Sequence, residues 1–170
     1  MDLAYVSLAG RGATDALLAV SVAHLRARGL VPAGTVQTNP PCAGREKCDM
    51  DIHVLPDGPV LRISQDLGVA SRGCRLDMSA LETAVAEAGR RLDGADLLIV
   101  NKFGKQEGEG RGFVPLIAAA LDRGLPVLVG VNALNLGAFE AFAGGLATPL
   151  PAEPDAIADW AASRAPARAA

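Results

Sequence analysis

The chain has 170 residues, half of them hydrophobic, with 16 Lys and Arg against 19 Asp and Glu for a formal net charge of -3. This length suits one domain that buries a sizeable core without disulfides or metal, and the charge balance excludes a general nucleic-acid or anionic-membrane binder. The opening "MDLAYVSLAG" lacks a basic n-region, and its apolar run is too short for a signal peptide or a membrane span, so a cytoplasmic protein with its three cysteines reduced is expected.

In chain order, "LAYVSL" (3–8) is predicted as a strand, "AGRGATD" as a glycine turn and "TDALLAVSVAHLRARG" as a helix, with Thr14 or Asp15 near its start and Gly29 past its end. "LVPAGTVQ" supplies a second strand and "TNPPCAGREKCDM" a polar loop. "DIHVL" and "VLRIS" flank "PDGP" as a hairpin. After "QDLGVASRGCR" comes a helix capped by Asp77, "LDMSALETAVAEAGRRL". "DLLIV" and "LPVLVGV" are continuously apolar, as strands covered on both faces are, and "FVPLIAAALDRG" between them is a helix that tolerates Pro115 in its first turn. "LGAFEAFAGG" and "EPDAIADWAASRA" give a short helix and a C-terminal helix. Strands alternating with helices make an α/β fold around a mostly parallel sheet.

Ligands of such sheets bind beyond the carboxyl ends of the strands, here the loops after Leu8, Gln37, Val100 and Val131. In "SLAGRGAT", Gly12 and Thr14 fit the phosphate-loop pattern G-x-x-x-x-G-K-[ST], whereas Ser7 and Ala13 do not. Ala13 cannot supply the motif's cation, although backbone N–H groups entering a helix attract oxyanions unaided. A dinucleotide fingerprint fits worse, because Asp15 stands where the third glycine belongs and Gln37 where an acidic ribose ligand belongs. Gly10 and Gly12 also suit a plain tight turn from strand to helix.

The second charged, glycine-rich loop is "NKFGKQEGEGRGF", residues 101–113. The glycine turn opening a helix, the strand ending near "GTVQ", the hairpin and "DLLIVNKFGKQE" together resemble small P-loop nucleoside-triphosphatases of the thermophilic type. "ISQDLGVASRGCRLD" and "NKFGKQEGEGRGF" are more closely similar to an uncharacterised bacterial NTPase-like family, whose members are often linked with molybdenum or nitrogenase genes. The resemblance implies a three-layer P-loop-like fold over residues 1–165 with a β-hairpin insertion, followed by a frayed tail at 166–170. In the triphosphatases the later strand ends in an Asp-Glu pair followed by a glycine, a basic residue and another Glu. Asn101 and Lys102 occupy the acidic positions, while Gly104, Lys105 and Glu107 match.

The departures share a sign. The acids that would serve magnesium and the attacking water are gone, and so is the phosphate-loop lysine. Lys102, aimed from a neighbouring strand at the same pocket, would restore the lost cation without a metal. The expected site is therefore a metal-independent anion pocket of Gly10, Arg11, Gly12, Ala13, Thr14, Asn101, Lys102, Gly104, Lys105 and Arg111, with Gln37, Arg72, Arg75 and Glu107 behind them. Guanidinium groups suit tetrahedral oxyanions through paired donors, but these charges are equally suited to pairing with Asp66, Asp77, Glu107 and Glu109. The implied ligand is a nucleotide phosphate or an oxyanion; the choice of molybdate or tungstate comes from the family resemblance. No cofactor is required, and efficient NTPase activity is not expected.

Two other readings stay open. Cys42, Cys48, His53 and Cys74 would make a zinc, iron or redox site, although the usual C-x-x-C pair is missing and buried apolar cysteines explain the same residues. The arginines flanking Cys74 would activate its thiol. A slow, atypical triphosphatase is the third reading. His24 is expected to be a structural helix residue, and the apolar helices suit a homo-oligomer.

Overall fold

The computed structural model describes residues 2–39, 49–65 and 76–166. Its sheet has the order β4-β3-β2-β5-β6-β1-β7. The strands are β1 (Leu3–Val6), β2 (Pro32–Thr38), β3 (Asp51–Leu55), β4 (Val60–Arg62), β5 (Leu97–Phe103), β6 (Val127–Val131) and β7 (Ala147–Pro149). β2, β5, β6, β1 and β7 run parallel, and the β3–β4 hairpin extends the β2 edge antiparallel. The expected mostly parallel α/β sheet with a hairpin is therefore present.

Helices cover both faces. On one side α1 (Ala13–Ala27) and α6 (Pro154–Arg164) place Leu18, Leu25 and Ile157 against Ala4, Ile99 and Leu128. On the other, α2 (Met78–Arg90), α4 (Val114–Asp122) and α5 (Leu136–Ala143) pack Leu81, Ile117 and Phe139 against Leu98, Val100 and Val129. Alternate residues of β5 thus enter different cores, which is why "LLIV" is apolar without a break. Asp77 caps α2 by accepting from Ala80 N at 3.0 Å, and Pro115 lies in the first turn of α4, both as the sequence predicts.

Thr14 and Asp15 lie in the first turn of α1, as the sequence predicts, with Gly12 in the left-handed conformation at its cap. The Thr14 hydroxyl accepts from Leu8 N at 3.1 Å, which closes the turn. Three details differ from the sequence reading. β1 stops at Val6. Residues 101–103 belong to β5, and the following "loop" begins with the one-turn helix α3 (Lys105–Gly108). β7, a short strand containing Pro149 at the sheet edge, carries too little apolar pattern to be predicted. His24 is structural, but through the α1–α6 contact: its Nδ1 lies 2.9 Å from Asp155 Oδ1.

Candidate anion site

The turn from β1 into α1 meets the carboxyl ends of β5 and β6 at a cleft of about 130 Å³. Gly10, Arg11, Gly12, Thr14 and Asp15 line one side, Asn101 and Lys102 another, and Gly130, Val131 and Asn132 the end of β6. Gly10 and Gly12 have φ of 102° and 75°, so the chain turns sharply into α1 with backbone conformations that side-chain-bearing residues avoid.

Lys102 does not come from a strand next to β1, because β6 lies between β1 and β5. A bulge brings it to the cleft. The ladder pairs Val100 with Val129 and then Phe103 with Val131, three steps along β5 against two along β6. The surplus residue keeps Phe103 fully buried while Lys102 is exposed, as bulges beside functional sites re-aim side chains. Gly130 makes room for this backbone: a Cβ there would lie 2.2 Å from the Asn101 carbonyl oxygen and 2.8 Å from Leu18 Cδ1.

Asn101 is buried at 4% exposure and makes two hydrogen bonds. Its Oδ1 accepts from Gln37 N at 2.8 Å, and its Nδ2 donates to Asp15 Oδ1 at 2.9 Å. A backbone N–H only donates, so this bond fixes the orientation of the amide and leaves Asp15 as the acceptor. The Gln37 side chain donates to Asn39 Oδ1 at 2.8 Å, and Asn39 Nδ2 lies 3.4 Å from Asp15 Oδ2. Gln37 thus joins this network through both its backbone N–H and its side chain, outside the cleft lining. Asp15 lines the cleft, which the sequence reading missed after using it as a helix-start residue and to reject a dinucleotide motif.

Arg11 and Lys102 stand apart electrostatically. Among the described residues every other Arg and Lys has a partner: Arg28 with Asp155 and Asp159, Arg62 with Asp49 and Asp51, Arg90 and Arg91 with Glu87, Lys105 and Arg111 with Glu109, Arg123 with Asp93, and Arg164 with Asp2. Arg26 donates to the Pro56 carbonyl at 2.7 Å. Arg11 and Lys102 have no such partner, and both line the cleft.

The rest of the expected set is divided. Ala13 is the first residue of α1 and brings no side-chain cation. Gly104, Lys105 and Arg111 lie outside the cleft lining, the latter two paired with Glu109. Glu107 is buried and holds the backbone, accepting from Gly104 N at 2.9 Å through Oε2 and from Phe113 N at 3.1 Å through Oε1. It is a clamp on residues 104–113, outside the cleft lining. Cys42, Cys48, Asp66, Arg72, Cys74 and Arg75 lie outside the described residues. His53 Nε2 sits 2.9 Å from Thr38 Oγ1 across the β2–β3 pair, and no metal-holding cluster of His, Cys, Asp and Glu occurs among the described residues.

Around the cleft, Thr14 Oγ1 and Asn101 Oδ1 each accept a backbone N–H, each oxygen of Asp15 accepts from an amide, and the Arg11 and Lys102 side chains stand alongside.

A family model matches residues 3–160. The chain belongs to the DUF2478 family, proteins of unknown function. This DUF2478 chain is also 35% identical, over 147 residues, to the molybdenum import ATP-binding protein ModC 2 of Bradyrhizobium diazoefficiens, a match covering 86% of the chain and 16% of that protein's length. Its fold is similar to the solution structure of a human cancer-related nucleoside triphosphatase, with a TM-score of 0.56, 18% identity, and 92% and 93% of the two chains covered. The P-loop NTPase-like fold implied by the sequence resemblance is borne out. Among the described residues no helix is long and apolar enough to cross a membrane.

Proposed function

We propose that this DUF2478 domain binds a small anionic ligand, the phosphate of a nucleotide or a tetrahedral oxyanion such as molybdate, without metal and without efficient hydrolysis. The observation that carries the reading is the pairing state of its cations: Arg11 and Lys102, alone among the described Arg and Lys residues in having no partner, line one cleft. An exposed ion pair is worth only about 0–1 kcal/mol, so leaving two cations unpaired at one place costs little stability and keeps their donors free for an anion. Lys102 then takes over the charge that Ala13 lacks. The loss of hydrolysis follows from the donor set, since neutral Asn101 and cationic Lys102 cannot hold a metal or deprotonate water as the acidic pair of the resembled triphosphatases would. The names of the relatives, one an ATP-binding protein of molybdenum import and the other a nucleoside triphosphatase, give reason to try nucleotides and molybdate first.

The test is calorimetry and thermal shift with ATP, GTP, phosphate, molybdate and tungstate, with and without magnesium. At least one anion is expected to bind without magnesium, raising the melting temperature by mass action, and Arg11→Ala with Lys102→Ala should abolish that binding. Undiminished binding by the double variant would refute the reading, and magnesium-dependent turnover would replace it with a slow triphosphatase.

A further inference from the structure

Resting on that anion-site reading and narrowing its ligand to the phosphate alternative, we infer that Asp15 makes the cleft select an oxyanion that carries a proton, hydrogen phosphate or the monoanion of a phosphate monoester, over unprotonated ones such as sulfate, molybdate and tungstate. A carboxylate in the wall of an anion site is the unexpected element. Three charged groups line the cleft, Arg11, Lys102 and Asp15, and neither cation is within ion-pair distance of the carboxylate. Asp15 is instead fixed by amides, with Asn101 Nδ2 at 2.9 Å from Oδ1 and Asn39 Nδ2 at 3.4 Å from Oδ2.

An ionised carboxylate only accepts hydrogen bonds, at about four lone-pair sites. Two are taken by the amides, so further acceptor capacity remains on a side chain that Asn101 holds at the cleft wall. An anion drawn in by Arg11 and Lys102 therefore meets one position where a bare oxygen faces like charge and an O–H group finds an acceptor. Short O–H···O⁻ bonds are among the stronger hydrogen bonds, and like charges placed together in a site cost more than they do in water. The proton on the ligand decides which applies. Near neutral pH inorganic phosphate and arsenate keep a proton, whereas sulfate, molybdate and tungstate have none.

Two sources of the phosphoryl group can be told apart. A phosphate monoester loses its last proton with a pKa of about 6, so its affinity should fall about tenfold or more between pH 5.5 and 7.5, while free phosphate retains a proton throughout.

The experiment is isothermal calorimetry of the full chain at pH 7.5 without divalent metal, using phosphate, arsenate, sulfate, molybdate and tungstate, with phosphate repeated in magnesium, followed by AMP at pH 5.5 and 7.5. Phosphate and arsenate are expected to bind at least about tenfold more tightly than the other three, the factor that one charge-assisted hydrogen bond supplies. Asp15→Asn should close that gap by gaining sulfate and molybdate. The wild-type AMP profile needs no variant, so the inference stays testable if Asp15→Asn folds poorly. Equal wild-type affinity for phosphate, sulfate and molybdate would overturn the inference and leave the anion site standing. No binding of any anion would remove both. Phosphate binding that needs magnesium, and loses that need in Asp15→Asn, would overturn it in favour of a carboxylate serving a cation.

Discussion

The side-chain amide of Asn101 donates to the carboxylate of Asp15 at 2.9 Å, joining β5 to the first turn of α1. An acid at position 101, as in the resembled triphosphatases, would have to face Asp15 directly. Asn101→Asp is therefore expected to destabilise the protein rather than to create a hydrolase. Two carboxylates at this distance share a proton, so at least one has a folded-state pKa raised above its unfolded value. Such a group reduces stability once the unfolded chain ionises, so the loss should be small near pH 4 and grow as pH rises towards 8. Melting temperatures of variant and wild type across that range check the sign.

Arg11→Ala and Lys102→Ala should each weaken anion binding by about tenfold or more, corresponding to one charged hydrogen bond of about 1.5–3 kcal/mol. Both residues are exposed, so melting temperature without ligand should barely change. Titration of each single variant beside its thermal melt separates a binding defect from a folding defect.

Gly130→Ala is expected to cost about 1–3 kcal/mol through overpacking, because the added methyl would meet the Asn101 carbonyl oxygen at 2.2 Å. Relief requires the bulge to move, so anion affinity should drop as well. Denaturant unfolding and calorimetry on the same preparation should register both effects.

Removing Glu107 orphans the N–H groups of Gly104 and Phe113. Glu107→Ala should destabilise by about 1–3 kcal/mol for each donor left without a partner, whereas Glu107→Gln keeps an acceptor and should lose less. Hydrogen exchange at these two amides should rise more in the alanine variant.

Acid sensitivity has an identifiable contributor at the α1–α6 contact. The hydrogen bond from His24, with Arg28 beside it, holds the Asp155 carboxyl below its ordinary value of 3.8. A depressed carboxyl pKa gives stability that is present above the unfolded value and is lost as pH falls through the folded one. Asp155→Asn should thus lower stability at pH 6 and reduce its further decline below pH 4, measured by unfolding midpoints against pH.

Much of the fold was legible in the sequence because its signals are local. The unbroken "LLIV" and "VLVGV" runs need cover on both faces, and Asp77 announces the start of α2. The chemistry of "SLAGRGAT" and "NKF" also pointed to one place, and Arg11, Asn101 and Lys102 do line one cleft. What stayed hidden depends on tertiary register. That Lys102 occupies a bulge follows from pairing with β6, and that Asn101 is consumed by Gln37 and Asp15 follows from the approach of β2 and α1. Glu107 looked like a site charge because nothing local shows that its oxygens reach the backbone at both ends of its own loop. Asn132 was within reach of the reading, since it follows a strand whose end had been marked.

The surplus residue in β5 separates two kinds of selection. Phe103 remains seated edge-on against Phe139, with ring centroids 5.2 Å apart, whatever side chain precedes it. Position 102 can change between acid, base and neutral side chains without disturbing the core behind it. One strand can thereby keep its core face fixed while the chemistry of its cleft face changes at position 102 alone.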